Sequence, residues 1–96
     1  MPNDKLAETA VEKATSYGEL MMELGEYFFS NPKRFKSAIN TVADLLDVHE
    51  IEGLRALARD KKIESAGEVE DRFEEICWAK DQATKRQVVR LMLRNL

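Results

Sequence analysis

The 96-residue chain has little of several features that define other classes of protein. A single cysteine, Cys77, cannot form a disulfide within the chain, which suits a reducing, intracellular compartment. Two prolines and four glycines are too few for a disordered or fibrous protein. No apolar run approaches the roughly 18 residues of a membrane span, and the opening stretch MPNDKLAETAVEKA lacks the basic and apolar regions of a secretory signal. We therefore expect a cytoplasmic protein with no membrane partner.

Residue patterns for catalysis and metal binding are also scarce. The one histidine, His49, and Cys77 fall in different predicted helices, so nothing places them together as a nucleophile and its base. No Glu-x-x-His pair, calcium-binding loop or glycine-rich phosphate loop occurs. We therefore predict no enzyme, no metal site and no cofactor. Cys77 is expected to be a small buried residue and His49 a surface residue.

Charged residues make up 34% of the chain and fall into alternating blocks, with a net charge of −3. Residues 1–31 carry six acids and two bases, and residues 64–75 carry six acids and one arginine. Residues 80–96 carry five bases and one aspartate. Such blocks are typical of solvated faces of opposite charge that attract one another within a fold. The alternative is that the basic block forms a face that binds an acidic partner.

The spacing of the apolar residues predicts helices throughout, and no alternating strand pattern occurs. We expect an all-α single domain spanning residues 1–96, a compact bundle of five or six short helices. Side chains that can cap a helix mark the expected helix starts. Three residues after the capping residue there is a Glu in three cases and a Gln in one. These pairs are Ser16 with Glu19, Asp47 with Glu50, Ser65 with Glu68, and Thr84 with Gln87, and Asn3 or Asp4 can cap an earlier helix. Pro32 suits the first position of a helix over PKRFKSAINTVADLL.

The last third of the chain contains two apolar stripes that do not share a face. The first consists of Val69, Phe73 and Ile76, and the second of Val88, Val89, Met92, Leu93 and Leu96. The two stripes are about 150° apart at the helical angle of roughly 100° per residue. One straight helix would turn them to nearly opposite sides, so we predict a break near Lys80–Thr84.

The helix YGELMMELGEYFF has a wide apolar surface made of two adjacent stripes. The first stripe is Leu20, Met21, Leu24, Tyr27 and Phe28, and the second is Gly18, Met22, Gly25 and Phe29. Together they cover about 220° of the circumference, whereas a surface helix buries a little over 100°. The helix therefore contacts two layers: it lies at the centre of the domain, or its second stripe meets another chain, and both can hold. We predict self-association as a dimer through the second stripe.

The region around residues 38–62 resembles a helix-turn-helix, because Val42, Ala43, Leu46 and Val48 fall where that motif has apolar or small residues. Asp47 replaces the usual turn glycine, and Gly53 replaces a buried branched residue. The expected outward face is His49, Glu52, Gly53, Ala56 and Asp60, with Arg59 at its edge, and Glu50 and Glu52 lie in the first turn. Carboxylates there repel phosphates, on whose neutralisation DNA affinity rests. A DNA-binding regulator is therefore the alternative, and nucleic acid the less favoured partner.

The last helix carries a basic ridge, because Arg86, Arg90 and Arg94 recur every four residues, and Lys85 extends it. Cations near a helix C-terminus are often only solvated and favoured by the helix dipole. Arginine also pairs well with carboxylates and phosphates. We predict that these four residues bind an acidic surface of another protein, which makes the chain a small acidic regulator, adaptor or inhibitor without catalytic activity.

Overall fold

The computed structural model describes residues 16–94, which form five α-helices and one 3₁₀ turn. The α-helices are α1 (Tyr17–Ser30), α2 (Pro32–Thr41), α3 (Val48–Arg59), α4 (Ala66–Ile76) and α5 (Gln82–Leu93), and the 3₁₀ turn (Ala43–Leu45) precedes α3. The described range contains no strand, so the prediction of an all-helical bundle is confirmed there, with five helices in place of five or six. The helix expected after Asn3 or Asp4 lies outside the described residues.

Capping side chains fix the starts of α1, α3 and α4 as predicted. The Ser16 Oγ accepts a hydrogen bond from the Glu19 N–H at 3.1 Å, and the Ser65 Oγ accepts one from the Glu68 N–H at 3.2 Å. At α3 both bonds of a capping box are present: Asp47 Oδ1 accepts from the Glu50 N–H, and Glu50 Oε1 accepts from the Asp47 N–H, each at 2.8 Å. These bonds satisfy N–H groups that have no partner within the helix.

The predicted start at Thr84 is wrong, although the predicted break before it is confirmed. The chain turns through residues 77–81, and α5 begins at Gln82. Asp81 caps it, because its Oδ1 accepts a hydrogen bond from the Thr84 N–H at 2.7 Å. Aspartate is a stronger N-cap than threonine, which explains why the helix starts at the earlier residue.

The helix predicted over PKRFKSAINTVADLL also ends earlier than expected, at Thr41. Thr41 and Val42 are β-branched and favour a helix less than unbranched residues do. The chain tightens into the 3₁₀ turn, and Leu46 is extended, which leads into the extended Asp47 that caps α3. Val42 and Leu46 are still buried, so the apolar pattern was correct although the helix end was not.

One hydrophobic core joins all five helices, and α1 lies at its centre. α1 packs against α2, α4 and α5, whereas α3 packs against α2 and α4. The first stripe of α1 is buried in full, as are most residues predicted to face inward from the last two helices, namely Val69, Phe73, Val88, Val89 and Met92. Ile76 and Leu93 are partly buried, and Leu96 lies outside the described residues. The central position of α1 accounts for much of its wide apolar surface.

Gly25 allows α1 to approach α4 closely. A Cβ atom at this position would lie 2.7 Å from the Ala66 Cβ and 2.8 Å from the Ala66 carbonyl oxygen. Contacts this short would force the two helices apart, because the atoms opposed to it belong to the backbone or sit next to it. Gly25 is therefore packed within the chain. Gly18, by contrast, is exposed near the start of α1, with only the Ser16 Oγ at 4.0 Å from such a Cβ atom.

We predict that the two stripes of α1 respond differently to substitution. Leu24 is 0% exposed, so Leu24→Ala should lower the free energy of unfolding by about 2–5 kcal/mol. Met22 is 58% exposed, so Met22→Glu should change the stability by less than about 1 kcal/mol. Urea unfolding followed by circular dichroism measures both. Equal destabilisation by the two substitutions would contradict the assignment of Met22 to the surface.

We also predict opposite effects for alanine at the two glycines of α1. Gly25→Ala should cost a net of about 1–2 kcal/mol, because the clash with Ala66 exceeds the gain in helix propensity. Gly18→Ala adds a methyl group in open space and should be neutral or stabilising by up to about 1 kcal/mol. Thermal melting of both variants provides the comparison. A stabilised Gly25→Ala variant would show that α1 and α4 are not tightly packed.

Candidate functional site

Three polar side chains meet where α1 begins, α4 ends and α5 begins. The Tyr17 hydroxyl donates a hydrogen bond to Glu74 Oε1, and the Lys85 ammonium donates to Glu74 Oε2 at 2.9 Å. The same ammonium lies 5.5 Å from the centre of the Tyr17 ring, within the range of a cation–π contact. Burial and the hydrogen bond to Glu74 both raise the pKa of Tyr17, so its hydroxyl keeps its proton. The three groups satisfy one another and tie three helices together.

A second ion pair at this end joins α3 to the turn before α5. The Lys80 Nζ lies 2.9 Å from Glu50 Oε1, the oxygen that also accepts the Asp47 N–H. Glu50 is only 4% exposed, which makes it the buried charged residue of the described chain. A buried carboxylate is costly unless it is paired, and Glu50 has two donors. The hydrogen bond to Glu50 also raises the pKa of Lys80, which keeps the ammonium charged.

Cys77 lies in this turn and is buried, as predicted. Burial, together with the negative charge of Glu50, raises the pKa of the Cys77 thiol to about 12. The thiolate is the nucleophilic form of cysteine, so at neutral pH Cys77 stays in the protonated, less nucleophilic form. His49 is exposed, also as predicted. Among residues 16–94, no group of three or more His, Cys, Asp or Glu residues is arranged to hold a metal ion.

The four residues predicted to bind an acidic partner do not form one equivalent set. Arg94 is exposed, whereas Arg86 and Arg90 are partly buried, and none of the three is without a partner. The Lys85 side chain is 12% exposed and its ammonium is bound to Glu74. Binding of a partner by Lys85 stays a prediction. Within the chain, its ammonium group already forms the ion pair with Glu74. Arg90 and Arg94 border a shallow depression with Gln87 and Leu91.

The four residues predicted for self-association also differ in their exposure to solvent. Gly25 is covered by α4, whereas Met22 and Phe29, which flank it along the helix, are 58% and 45% exposed. Gly18 is exposed at the start of α1. The exposed part of the predicted contact therefore consists mainly of Met22 and Phe29. We refer to these two residues as the outer patch of α1.

The region around residues 38–62 forms a helix, a 3₁₀ turn and a second helix, and α2 packs against α3. The outward face of α3 differs from the one expected. Gly53 faces Ile76 of α4, and Asp60 is held by Arg72 at 3.2 Å. His49, Glu52 and Ala56 are exposed as expected, together with Arg55 and Arg59. Glu50, the acid in the first turn of α3, is buried, whereas Glu52, just beyond that turn, is exposed.

A groove that the sequence did not indicate lies at the opposite end of the bundle. It is open, has a volume of about 650 Å³, and runs between the end of α1, the start of α2 and the segment after α3. Its lining consists of Phe28, Phe29, Pro32, Ala58, Arg59, Asp60, Lys61 and Ile63. These residues are distant in sequence, so helical periodicity could not bring them together. Two further apolar side chains are exposed, Val48 at 67% and Trp78 at 78%. The helix-turn-helix resemblance gave Val48 the position of an apolar or small residue, and the pattern of the sequence does not indicate that Trp78 is exposed.

The network around Glu74 predicts a pH-dependent contribution to stability. Burial alone would raise the pKa of Glu74, but the hydrogen bonds from Tyr17 and Lys85 outweigh it and hold the pKa below its ordinary value of 4.5. The stabilisation is therefore present above that pH and is lost as the pH falls through the lower pKa of the folded state. Glu74→Gln should lower the free energy of unfolding by about 0.5–1 kcal/mol at neutral pH, a modest value because the side chain is partly solvated. This difference from the wild type should shrink when denaturation is repeated at pH values well below 4.5.

Glu64→Gln is the matched control for this experiment, because Glu64 is exposed and makes no ion pair with another described residue. Its effect should be small at every pH. A Glu74→Gln effect that stays constant as the pH falls would mean that the charge of Glu74 contributes nothing to the fold.

No helix within residues 16–94 is both long enough and apolar enough to cross a membrane. Comparisons of the chain with models of protein families, with curated proteins and with solved structures found no match. The surfaces described above are therefore the basis on which a function can be argued.

Proposed function

We propose that the protein is a non-catalytic protein–protein interaction module, a small cytoplasmic regulator, adaptor or inhibitor that binds its partner through helical faces. The observation that carries this proposal is the outer patch of α1. Met22 and Phe29 are two turns apart on one face of the central helix, and both are substantially exposed. A single exposed apolar residue is ordinary, but exposed apolar residues grouped on one face mark interaction sites.

The chemistry of the outer patch suits binding to a protein. Methionine is flexible and polarizable, so it adapts to different partners. Aromatic residues and methionine are enriched at the centres of interfaces. Both residues lie on a helix whose opposite face is buried, which holds the patch rigid and lowers the entropy lost on binding.

Self-association is part of the proposal, with a second copy of the chain meeting the outer patch. Lys85 and the arginines of α5 are proposed as a further contact, for an acidic surface of another protein, because the guanidinium group forms paired hydrogen bonds with carboxylates. The buried Cys77 and the absence of a second cysteine support a reducing location.

A DNA-binding regulator is the second proposal, and the packing of α2 against α3 across a short turn favours it. The arginines exposed on α3, Arg55 and Arg59, add positive charge. The exposed carboxylate of Glu52, just beyond the first turn of α3, opposes it, since the start of this helix faces base edges in this class of motif. The net charge of −3 opposes it as well.

The decisive experiment is affinity purification from the native host, with and without nuclease, using the wild type and Met22→Glu. We expect partner proteins that persist after nuclease treatment and that are depleted in the Met22→Glu sample, because a charge in the contact would be buried without a partner. Val48→Glu is the matched control, since Val48 is also an exposed apolar residue but lies at the start of α3. Sedimentation equilibrium of the same three proteins measures self-association.

Recovery of nucleic acid alone, lost after nuclease treatment, would favour the DNA-binding regulator. A monomer at tens of micromolar whose partners bind Met22→Glu as well as the wild type would remove the outer patch from the proposal. The arginines of α5 would then be the surface to test.

A further inference from the structure

We infer that the groove between the end of α1 and the segment after α3 binds an acidic segment of a partner protein that carries a bulky apolar side chain. This inference rests on the proposed function and adds to it a second site, which shares Phe29 with the outer patch, and the chemistry of the partner. It is carried by three features of the groove: an apolar floor, a rim of two cations, and an acid that is already engaged.

The floor of the groove is apolar and includes an exposed aromatic ring. Phe29 is 45% exposed and packs edge-on against Phe28 with ring centres 5.1 Å apart. Phe28 in turn packs against Phe35 with centres 5.0 Å apart, which anchors the floor in the core. Pro32, Ala58 and Ile63 complete it. A rigid, concave apolar surface of this kind accepts a bulky apolar side chain with little loss of entropy.

The rim is positive. Arg59 and Lys61 are both exposed, and neither forms an ion pair with another residue between 16 and 94. Asp60 also lines the groove, but its Oδ2 is bound to Arg72 at 3.2 Å and its Oδ1 accepts the Lys62 N–H at 2.8 Å. Both hydrogen bonds help to lower the pKa of Asp60, which keeps it charged and engaged. The groove therefore presents cations and no uncommitted carboxylate.

An acidic segment fits these features better than the other occupants do. A basic segment would bring positive charge against Arg59 and Lys61. A neutral apolar segment would leave both cations close to an uncharged surface. In an acidic segment, carboxylates beside the bulky apolar side chain can pair with Arg59 and Lys61. The groove is open and lies between two stretches of the chain, residues 28–32 and residues 58–63. This shape suits a polypeptide, which can lay one side chain into the floor and continue past the rim.

Binding of designed peptides to the full chain tests this inference. The probe is a fluorescent 16-residue peptide. Several leucines and one tryptophan are placed at helical spacing along it, and most of the other positions are glutamate. A matched peptide has lysine in place of each glutamate. We expect saturable binding of the glutamate peptide at micromolar concentration, and binding of the lysine peptide weaker by at least about tenfold.

Variants of the protein locate the site. Lys61→Glu should weaken binding of the glutamate peptide by about threefold to tenfold, because an attraction becomes a repulsion. Lys62→Glu is the matched control: it makes the same change of charge one residue further on, where the side chain borders a different depression with Glu68 and Asp71. Phe29→Ala should weaken binding by about tenfold or more. Trp78→Ala removes another exposed aromatic residue, outside the groove, and should have no effect.

Three results would overturn the inference. The first is the absence of saturable binding of the glutamate peptide up to millimolar concentration. The second is equal weakening by Lys61→Glu and Lys62→Glu, which would indicate attraction to overall charge and not to the groove. The third is a wild-type dimer that Lys61→Glu dissociates, which would make a second copy of the chain the occupant. Phe29 belongs to both the outer patch and the groove, so Phe29→Ala alone does not separate them. Met22→Glu tests the outer patch and Lys61→Glu tests the groove, so either site can fail its test while the other passes.

Discussion

The close approach of α1 and α4 at Gly25 and Ala66 determines how the rest of the bundle is arranged. Tyr17, at the start of α1, bonds to Glu74 near the end of α4, and Gly25, further along α1, meets Ala66 at the start of α4. The two helices are therefore antiparallel and nearly touch at one point. With α4 this close, α1 becomes the central helix, and Met22 and Phe29 remain on the side that no described helix covers. The surface proposed for binding is thus a consequence of a packing contact.

The two ends of the bundle differ in how their charges are used. At the end where α1 begins, Glu50 and Glu74 are each paired with a lysine, and the groups lie close to the buried Cys77. Such pairs fix the positions of helix ends relative to one another and leave little polar capacity for a ligand. At the opposite end, Arg59 and Lys61 border an apolar groove and form no ion pair within residues 16–94, because the neighbouring Asp60 is paired with Arg72. The charges at the first end hold helices together, and the second end carries the groove proposed for binding.

The sequence predicted those parts of the structure that depend on local patterns. The buried stripe of α1, the caps at Ser16, Asp47 and Ser65, and the break before α5 follow from side chains within a few residues of one another. The end of α2 and the start of α5 were wrong by several residues, because helix ends depend on small differences between competing caps and turns.

Features made by residues distant in sequence could not be predicted. The groove combines residues 28–32 with residues 58–63, and the pair between Glu50 and Lys80 joins residues 30 positions apart. The sequence placed Gly25 in the stripe predicted to meet a second chain, whereas in the structure Ala66 of α4 in the same chain packs against it. Periodicity identifies which face of a helix is apolar and does not identify what covers that face.

The shared oxygen of Glu50 has a consequence for local opening of the molecule. Glu50 Oε1 accepts hydrogen bonds from the Asp47 N–H within α3 and from the Lys80 ammonium in the turn before α5. If residues 77–81 moved away, a buried carboxylate would lose its counter-charge, and the first turn of α3 would have to open to hydrate it. We therefore expect fraying of α3 and release of the turn to occur together, although the two segments are far apart in the chain. Hydrogen exchange of the amides in both should then report a common free energy of opening.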